Sequence, residues 1–279
     1  MKNNNRKRGD NLIAVDFLYD NRLLSSFENM MICCFNNSSL ETVDIGQKLN
    51  FNTKKVYGKD KLNALGAYYE EGLSLTFQIG KIPCNDKPVS LSVDEQSEIT
   101  RWLNRKDGFH KFKIVQDGYE NLYAEASFNL KKIEIYGEVY GFELTMTTLH
   151  PYLLQEPIQY TYEFHNENNT FQIYDQSDEL GYIYADITIE CLSSGTLTIH
   201  NKFEDRTMEI KNCKSGEIIK IDGENQIIST SDSSHQIQND FNFSFFRIAN
   251  TYYDKTNIIT VSKPCKLTIT YSPVKKVGV

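Results

Sequence analysis

The sequence predicts a mainly β protein of two domains, and three observations carry that reading. Its 279 residues, at about 150 per domain, leave room for two modest cores. Tyr and Phe number 17 and 16 against 1 Trp, 15 Gly and 6 Pro, and both favour pleated, half-buried surfaces. Short alternations of apolar and polar residues recur along the chain, broken by Asn, Asp, Gly and Ser, as expected of strands with one buried face. Hydrophobic residues at 40% and charged residues at 24% belong to a folded chain rather than a disordered one.

In chain order, the alternation predicts strands at Phe17 to Tyr19, Leu73 to Ile79, Ile133 to Tyr136 and Phe142 to Met146. Further strands are expected at Tyr182 to Glu190, Thr196 to His200, Ile218 to Ile221 and Leu267 to Tyr271. Tight reversals are expected at Ser194-Gly195 and Asp222-Gly223. One segment departs from this rhythm. From Ser92 to Gly108 the apolar residues Ile99, Trp102 and Leu103 fall at helical spacing, and Ser92 with Glu95 makes a capping box. Acids fill the first turn and Arg105 and Lys106 the last, which predicts a single helix over about 93–106 with Trp102 anchoring it to a sheet.

Prolines at 151 and 157 cannot donate to a sheet ladder, so His150-Pro151 marks the boundary between a domain over 1–150 and one over 151–279. The first carries the helix and the second reads as strands alone, in the manner of a sandwich. Between them in character is the stretch 52–71. Its periodicity is weak and it carries Lys54, Lys55, Lys59 and Lys61 followed by Tyr68-Tyr69, the composition of a long loop or an extended arm.

Charge and chemistry narrow the function. Thirty basic against 37 acidic residues give a net charge of −7, which argues against a duplex-coating protein with nucleic-acid specificity. The basic cluster Lys2, Arg6, Lys7 and Arg8 reads as a solvated tail, and acids soon after it interrupt any secretory leader. No run approaches the length of a membrane span, so the expected product is soluble and made in the cytoplasm. Six cysteines lack zinc-ligand spacing and read as reduced, mostly buried thiols. The motifs of serine hydrolases, zinc proteases, P-loops and dinucleotide sites are missing, and the five histidines are scattered. No catalytic, cofactor or metal residue is therefore expected. The acidic run Asp175 to Glu179 reads as a solvated loop, lacking the glycine of a calcium loop. Phe241, Phe243 and Phe245 read as core. Tyr160 and Tyr162 alternate on one strand, as do Tyr182 and Tyr184, and these four are the candidate face for a sugar or a partner.

The order of several features resembles one known family. The helix ending in Trp102-Leu103, the strand Phe109 to Ile114, Tyr123-Ala124-Glu125-Ala126, Gly141-Phe142 to Met146 and the closing His150-Pro151-Tyr152 resemble the N-terminal region of phage distal tail proteins. Phe17-Leu18-Tyr19-Asp20-Asn21 resembles that family's first strand and turn. Ile218 to Asp222, Ile227-Ile228 and the strands from Asn257 to Tyr271 resemble the last strands of its galectin-like domain. One departure is visible: Tyr253 to Thr256 stands where the family has Pro-Gly before its Asn, here Asn257.

The resemblance implies a β-sandwich-like, ring-forming N-terminal domain with one α-helix over 1–150, followed by a galectin-like β-sandwich over 151–279. It implies a non-enzymatic virion component at the tail tip or baseplate, without cofactor and away from membranes. Six copies would form a homohexameric ring joining the tail tube protein to the baseplate hub or tail-associated lysin, with receptor-binding proteins carried outside. Lys54, Lys55, Tyr68 and Tyr69 would belong to an arm reaching a neighbour in the ring. The alternative from a different class is a carbohydrate-binding module or lectin-like adhesin using the tyrosine face.

Overall fold

The structure, a computed structural model, describes residues 16–33, 48–81 and 89–277. The basic N-terminal cluster, Cys34 and Cys84 lie outside the described residues. The chain divides into two compact units, residues 1–154 with 276–279, and residues 155–275. The division falls after Leu154 rather than at His150-Pro151, because Leu153 is buried in the first unit's core. The C-terminal end groups with the first unit rather than with the sandwich, and Lys276 sits there over the Tyr69 ring at 5.5 Å.

The first unit opens with β1 (Asp16–Tyr19), β2 (Arg22–Leu23), a 3-10 turn (Leu24–Ser26) and β3 (Met30–Cys33). Next come β4 (Leu49–Lys54), β5 (Asn63–Tyr69), β6 (Ser74–Lys81) and α1 (Val93–Leu103). It closes with β7 (His110–Val115), β8 (Leu122–Ile135), β9 (Glu138–Thr148) and β10 (Leu153–Gln155). The main sheet runs β2-β1-β7-β8-β9-β6-β3, every neighbour antiparallel. Phe17 on β1 and Phe77 on β6 stand four places apart in this order, yet their ring centroids are 5.7 Å apart. A flat sheet with strands ~4.8 Å apart would separate them by about 19 Å, so the sheet curls over its own core.

Helix α1 begins where its capping box requires: Glu95 N–H donates to Ser92 Oγ at 3.3 Å and Ser92 N–H to Glu95 Oε2 at 2.8 Å. It ends at Leu103, short of the expected 106. Asn104 leaves helical geometry and its amide donates to the Phe128 carbonyl at 3.1 Å, while Arg105 is drawn to Asp20 and Asp107. Trp102 anchors the helix as expected. It lies parallel to Phe17 at 5.6 Å and donates its indole N–H to the Tyr19 carbonyl at 3.1 Å. Asp20 and Asn21 both take positive φ, 47° and 63°, the geometry of the tight primed turn that joins β1 to β2.

The second unit contains β11 (Ile158–Phe164), β12 (Asn169–Tyr174), β13 (Gly181–Tyr184), β14 (Asp186–Cys191) and β15 (Gly195–Asn201). It continues with β16 (Arg206–Cys213), β17 (Ile218–Asp222), β18 (Ile227–Thr230) and a single helical turn, α2 (Ile237–Asp240). Its last strands are β19 (Arg247–Asn250), β20 (Thr256–Val261), β21 (Cys265–Tyr271) and β22 (Val274–Lys275). A five-stranded sheet, β11-β21-β14-β17-β18, shares one core with a four-stranded sheet, β12-β20-β15-β16. The inward residues alternate strictly, as with Ile187 and Ile189 or Leu267 and Ile269, which is the sandwich pattern.

Four local expectations change here. The run from Tyr182 to Glu190 is two strands, because β13 pairs β19 whereas β14 pairs β17 and β21. The reversal at Ser194-Gly195 is an arch between sheets and not a hairpin, since β14 and β15 lie in opposite sheets. A turn signal specifies the change of direction, while the partner strand is chosen by distant residues. The half expected to hold strands alone includes α2. Finally, Asp175 and Ser177 are buried and not solvated. Ser177 donates from N and Oγ to Asp175 Oδ1, and the Asn250 amide donates to the other carboxylate oxygen. These partners satisfy the buried charge.

Candidate functional site

The stretch expected as a loop or arm is a β-hairpin. Among the described residues, β4 and β5 pair with each other and with no other strand, in register from Leu49 opposite Tyr69 to Lys54 opposite Asn63, with a bulge after Asn52. Lys54 ends β4, Lys55 follows in the connecting loop, and Tyr68 and Tyr69 close β5. Phe51 and Leu65 are 65% and 63% exposed, and Tyr57 in the loop is fully exposed. Lys54, Lys55, Lys59 and Lys61 flank it in the sequence. At the base, Tyr69 packs edge-on against Tyr152 at 6.5 Å and Asn50 Nδ2 donates to Glu70 Oε2 at 2.7 Å. An isolated two-stranded ribbon with apolar residues on both faces is marginal in water.

The four tyrosines fall in two places. Tyr160 and Tyr162 point, with Phe164, toward the open side of the sandwich. There they stack in a row at 6.5 and 5.9 Å, and Tyr162 packs on Phe171 at 4.1 Å. Tyr160 and Phe164 pack against the core, so this row closes the edge where β11 and β12 end their sheets. Tyr182 and Tyr184 lie on the small β13–β19 ribbon, edge to face at 5.5 Å. The Arg247 guanidinium covers Tyr182 at 3.7 Å and is held by Glu204 through two hydrogen bonds of 2.6 and 2.7 Å. That bond pair to Glu204 is the first reason Arg247 is held still more firmly in its charged form. Tyr182 keeps 53% of its surface exposed.

Of the phenylalanine set, Phe241 and Phe245 are core, whereas Phe243 is 64% exposed with φ 54°. Asn242 explains the exception. Its side chain accepts from Glu209 N–H at 3.1 Å and donates to the Thr207 carbonyl at 3.0 Å, pairing the loop to the edge of β16 and turning Phe243 outward.

Sequence reasoning missed a buried charged cluster. His235 Nδ1 bonds Glu217 Oε1 at 2.6 Å, and both side chains are 1% exposed. Glu217 also accepts from Thr230 Oγ1 and from Lys214 N–H. His235 Nε2 lies 3.3 Å from Asp240 Oδ2 as an ion-pair contact without hydrogen-bond geometry. Burial raises the Glu217 carboxyl, but these hydrogen bonds outweigh it and hold it below the usual carboxylate range. Burial lowers His235, but Glu217 outweighs that and raises it. The cluster pins the 231–240 segment to the start of β17. No local motif announces it, since the partners are 18 residues apart.

On the first unit, a shallow cavity of about 290 Å³ is floored by Phe27, Met30 and Ile99. Three of the charges lining it are paired, Arg22 with Glu98 at 2.7 Å and Glu95 with Lys81 at 2.5 Å. Among the described residues, no three His, Cys, Asp or Glu side chains are grouped to hold a metal ion, and no helix is long and apolar enough to cross a membrane.

Comparison with known proteins agrees with this geometry. Residues 12–149 match the family model described as a phage tail protein N-terminal domain, and residues 152–271 the one described as a phage tail C-terminal domain. No curated protein matches. Among solved structures, the Dit (gp 19.1) protein of SPP1 is similar in fold, with a TM-score of 0.61 at 9% identity over 93% of this chain and 99% of that one. That protein is described as a paradigm of the hub adsorption apparatus in phages infecting Gram-positive bacteria. With both halves matched and the two-unit fold of a distal tail protein reproduced along nearly its whole length, the chain belongs to the phage tail proteins.

Proposed function

We propose that this tail protein is a distal tail component that assembles as a homohexameric ring at the tail tip or baseplate and joins the tail tube protein to the baseplate hub or tail-associated lysin. It does so as a structural part and not as an enzyme. The observation that carries the reading is the β4–β5 arm: a paired ribbon with exposed Phe51, Leu65 and Tyr57 needs a surface to cover it. A second copy is the partner assigned to it, and head-to-tail contacts of this kind terminate when the ring closes. Lys54 and Lys55 near the tip and Tyr68 and Tyr69 at the base are the arm's contact residues. The sandwich unit, with Tyr182 under Arg247, is the part available to receptor-binding proteins.

The carbohydrate-binding reading has weaker support. Tyr160 and Tyr162 close a sandwich edge, and one ring face of Tyr182 is taken by Arg247. Native mass spectrometry and negative-stain imaging of the full chain test the ring. Six copies, or a stacked pair of such rings, is the expected result. A species that stays monomeric at high concentration overturns it.

A further inference from the structure

Two thiols face each other across a ladder of the second unit. Cys191 ends β14 and Cys265 begins β21, and the register sets them directly opposite. Cys191 directs both its backbone groups to the other side of β14: its N–H donates to the Glu217 carbonyl at 2.9 Å, and its carbonyl accepts from Gly216 N–H at 2.7 Å. Cys191 and Cys265 are therefore a non-hydrogen-bonded pair, the kind whose facing residues stand closest, about 4.5 Å apart at Cα. A disulfide spans roughly 4.4–6.8 Å between Cα atoms, so the ladder itself supplies the spacing that the bond needs. Both side chains lie on one face of the sheet, buried in the same core as free thiols.

A third buried thiol is placed differently. Cys213 ends β16 in the facing sheet, stands opposite Gly195, and turns its thiol back along its own strand to donate to the Ile210 carbonyl at 3.5 Å. The Cys191–Cys265 rung lies at the end of its sheet. One further bond, Leu192 N–H to the Pro264 carbonyl at 3.1 Å, follows it, and Leu192 is already exposed. Strand ends open before strand centres do, which gives a small oxidant a route to the pair. While the end stays closed, burial pushes the Cys265 thiol up to about 11 and keeps it protonated and inert.

We propose that Cys191 and Cys265 are an oxidation site, at which hydrogen peroxide admitted through this sheet end closes a cross-strand disulfide fastening β14 to β21. One thiol gives up its proton and attacks an oxygen of the peroxide, the O–O bond breaks, and the departing hydroxide takes that proton to become water. The sulfur is then a sulfenic acid. The facing thiol gives up its proton and attacks this sulfur, the S–O bond breaks, and the released hydroxide takes the proton as a second water. Two thiols and one peroxide become one disulfide and two waters. The link closes a loop that holds β15 to β20, so it constrains the unfolded chain while matching the native spacing. The proposal is independent of the ring.

The test is peroxide treatment of the full chain, followed by unfolding, alkylation of remaining thiols and peptide mass mapping. The expected product is a linked pair of peptides carrying Cys191 and Cys265, lighter by two hydrogens than the separate peptides, with an unfolding midpoint that rises and falls back on reduction. Cys213→Ser should form the same link, and Cys191→Ser should leave Cys265 unlinked. If Cys191 and Cys265 of the wild-type chain remain alkylatable, or if either is linked to Cys213 or to another chain instead, the proposal is overturned. The wild-type map decides even if a variant fails to fold.

Discussion

His235 and Glu217, 18 residues apart, form a 2.6 Å hydrogen-bonded ion pair whose side chains are each 1% exposed. Removing one partner leaves the other charge buried, which costs roughly 3–5 kcal/mol. Glu217→Gln should therefore lower the stability of the second unit by an amount in that range, read as a drop in urea midpoint by circular dichroism. A change under about 0.5 kcal/mol, the size of an ordinary surface substitution, would contradict it.

The same pair sets a pH window. His235 is raised, so its contribution is complete below its ordinary 6.5 and is lost as pH rises through its folded value. Glu217 is lowered, so its contribution is complete above its ordinary 4.5 and is lost as pH falls through its folded value. The stability gap between wild type and His235→Asn should be widest between 4.5 and 6.5 and narrow as the pH rises through the raised folded value of His235. A gap that widens in alkali would refute this.

Trp102 is the single tryptophan, so its fluorescence reports on the first unit alone. Trp102→Phe keeps an aromatic face against Phe17 but loses the bond to the Tyr19 carbonyl, at about 1 kcal/mol plus lost packing. Trp102→Ala should cost about 3–5 kcal/mol. Circular dichroism melts should rank the three chains in that order.

Gly72 has no room for a side chain, because a Cβ there would overlap the Thr148 carbonyl oxygen. Leu73 N–H donates to Thr148 Oγ1 at 2.7 Å, and Thr148 N–H to the Leu73 carbonyl at 2.9 Å. Gly72→Ala should force these apart and cost about 1–3 kcal/mol. An unchanged unfolding midpoint would show that the strand can shift freely.

The arm separates assembly from folding. Phe51→Ser and Leu65→Ser remove apolar surface that the core does not use, so each should leave the melting temperature within a degree or two of wild type, as for surface changes of about 0.5 kcal/mol. Together they should abolish the ring in native mass spectrometry. A ring that survives both changes would assign ring closure to other surfaces.

By itself the sequence determined whatever is encoded locally. The Ser92–Glu95 capping box, the Ile99, Trp102 and Leu103 stripe and the Asp222-Gly223 reversal between β17 and β18 were legible because their partners lie within a few residues. The period-two strands were legible because one face is buried, and their joint order carried the family resemblance. Tertiary structure alone decided which strands pair. Ser194-Gly195 turns the chain between sheets, Ala185 separates strands of different sheets, and the weakly periodic 52–71 stretch forms a ribbon whose sides are both exposed. It also decided the fate of the polar residues. Asp175 is buried because Asn250 arrives from 75 positions away, Phe243 is turned out by Asn242, and Glu217 meets His235 only after folding. The physical reason is common to all of these. Periodicity records burial averaged over a strand, whereas burying a particular charge depends on a specific distant partner, which no local pattern encodes.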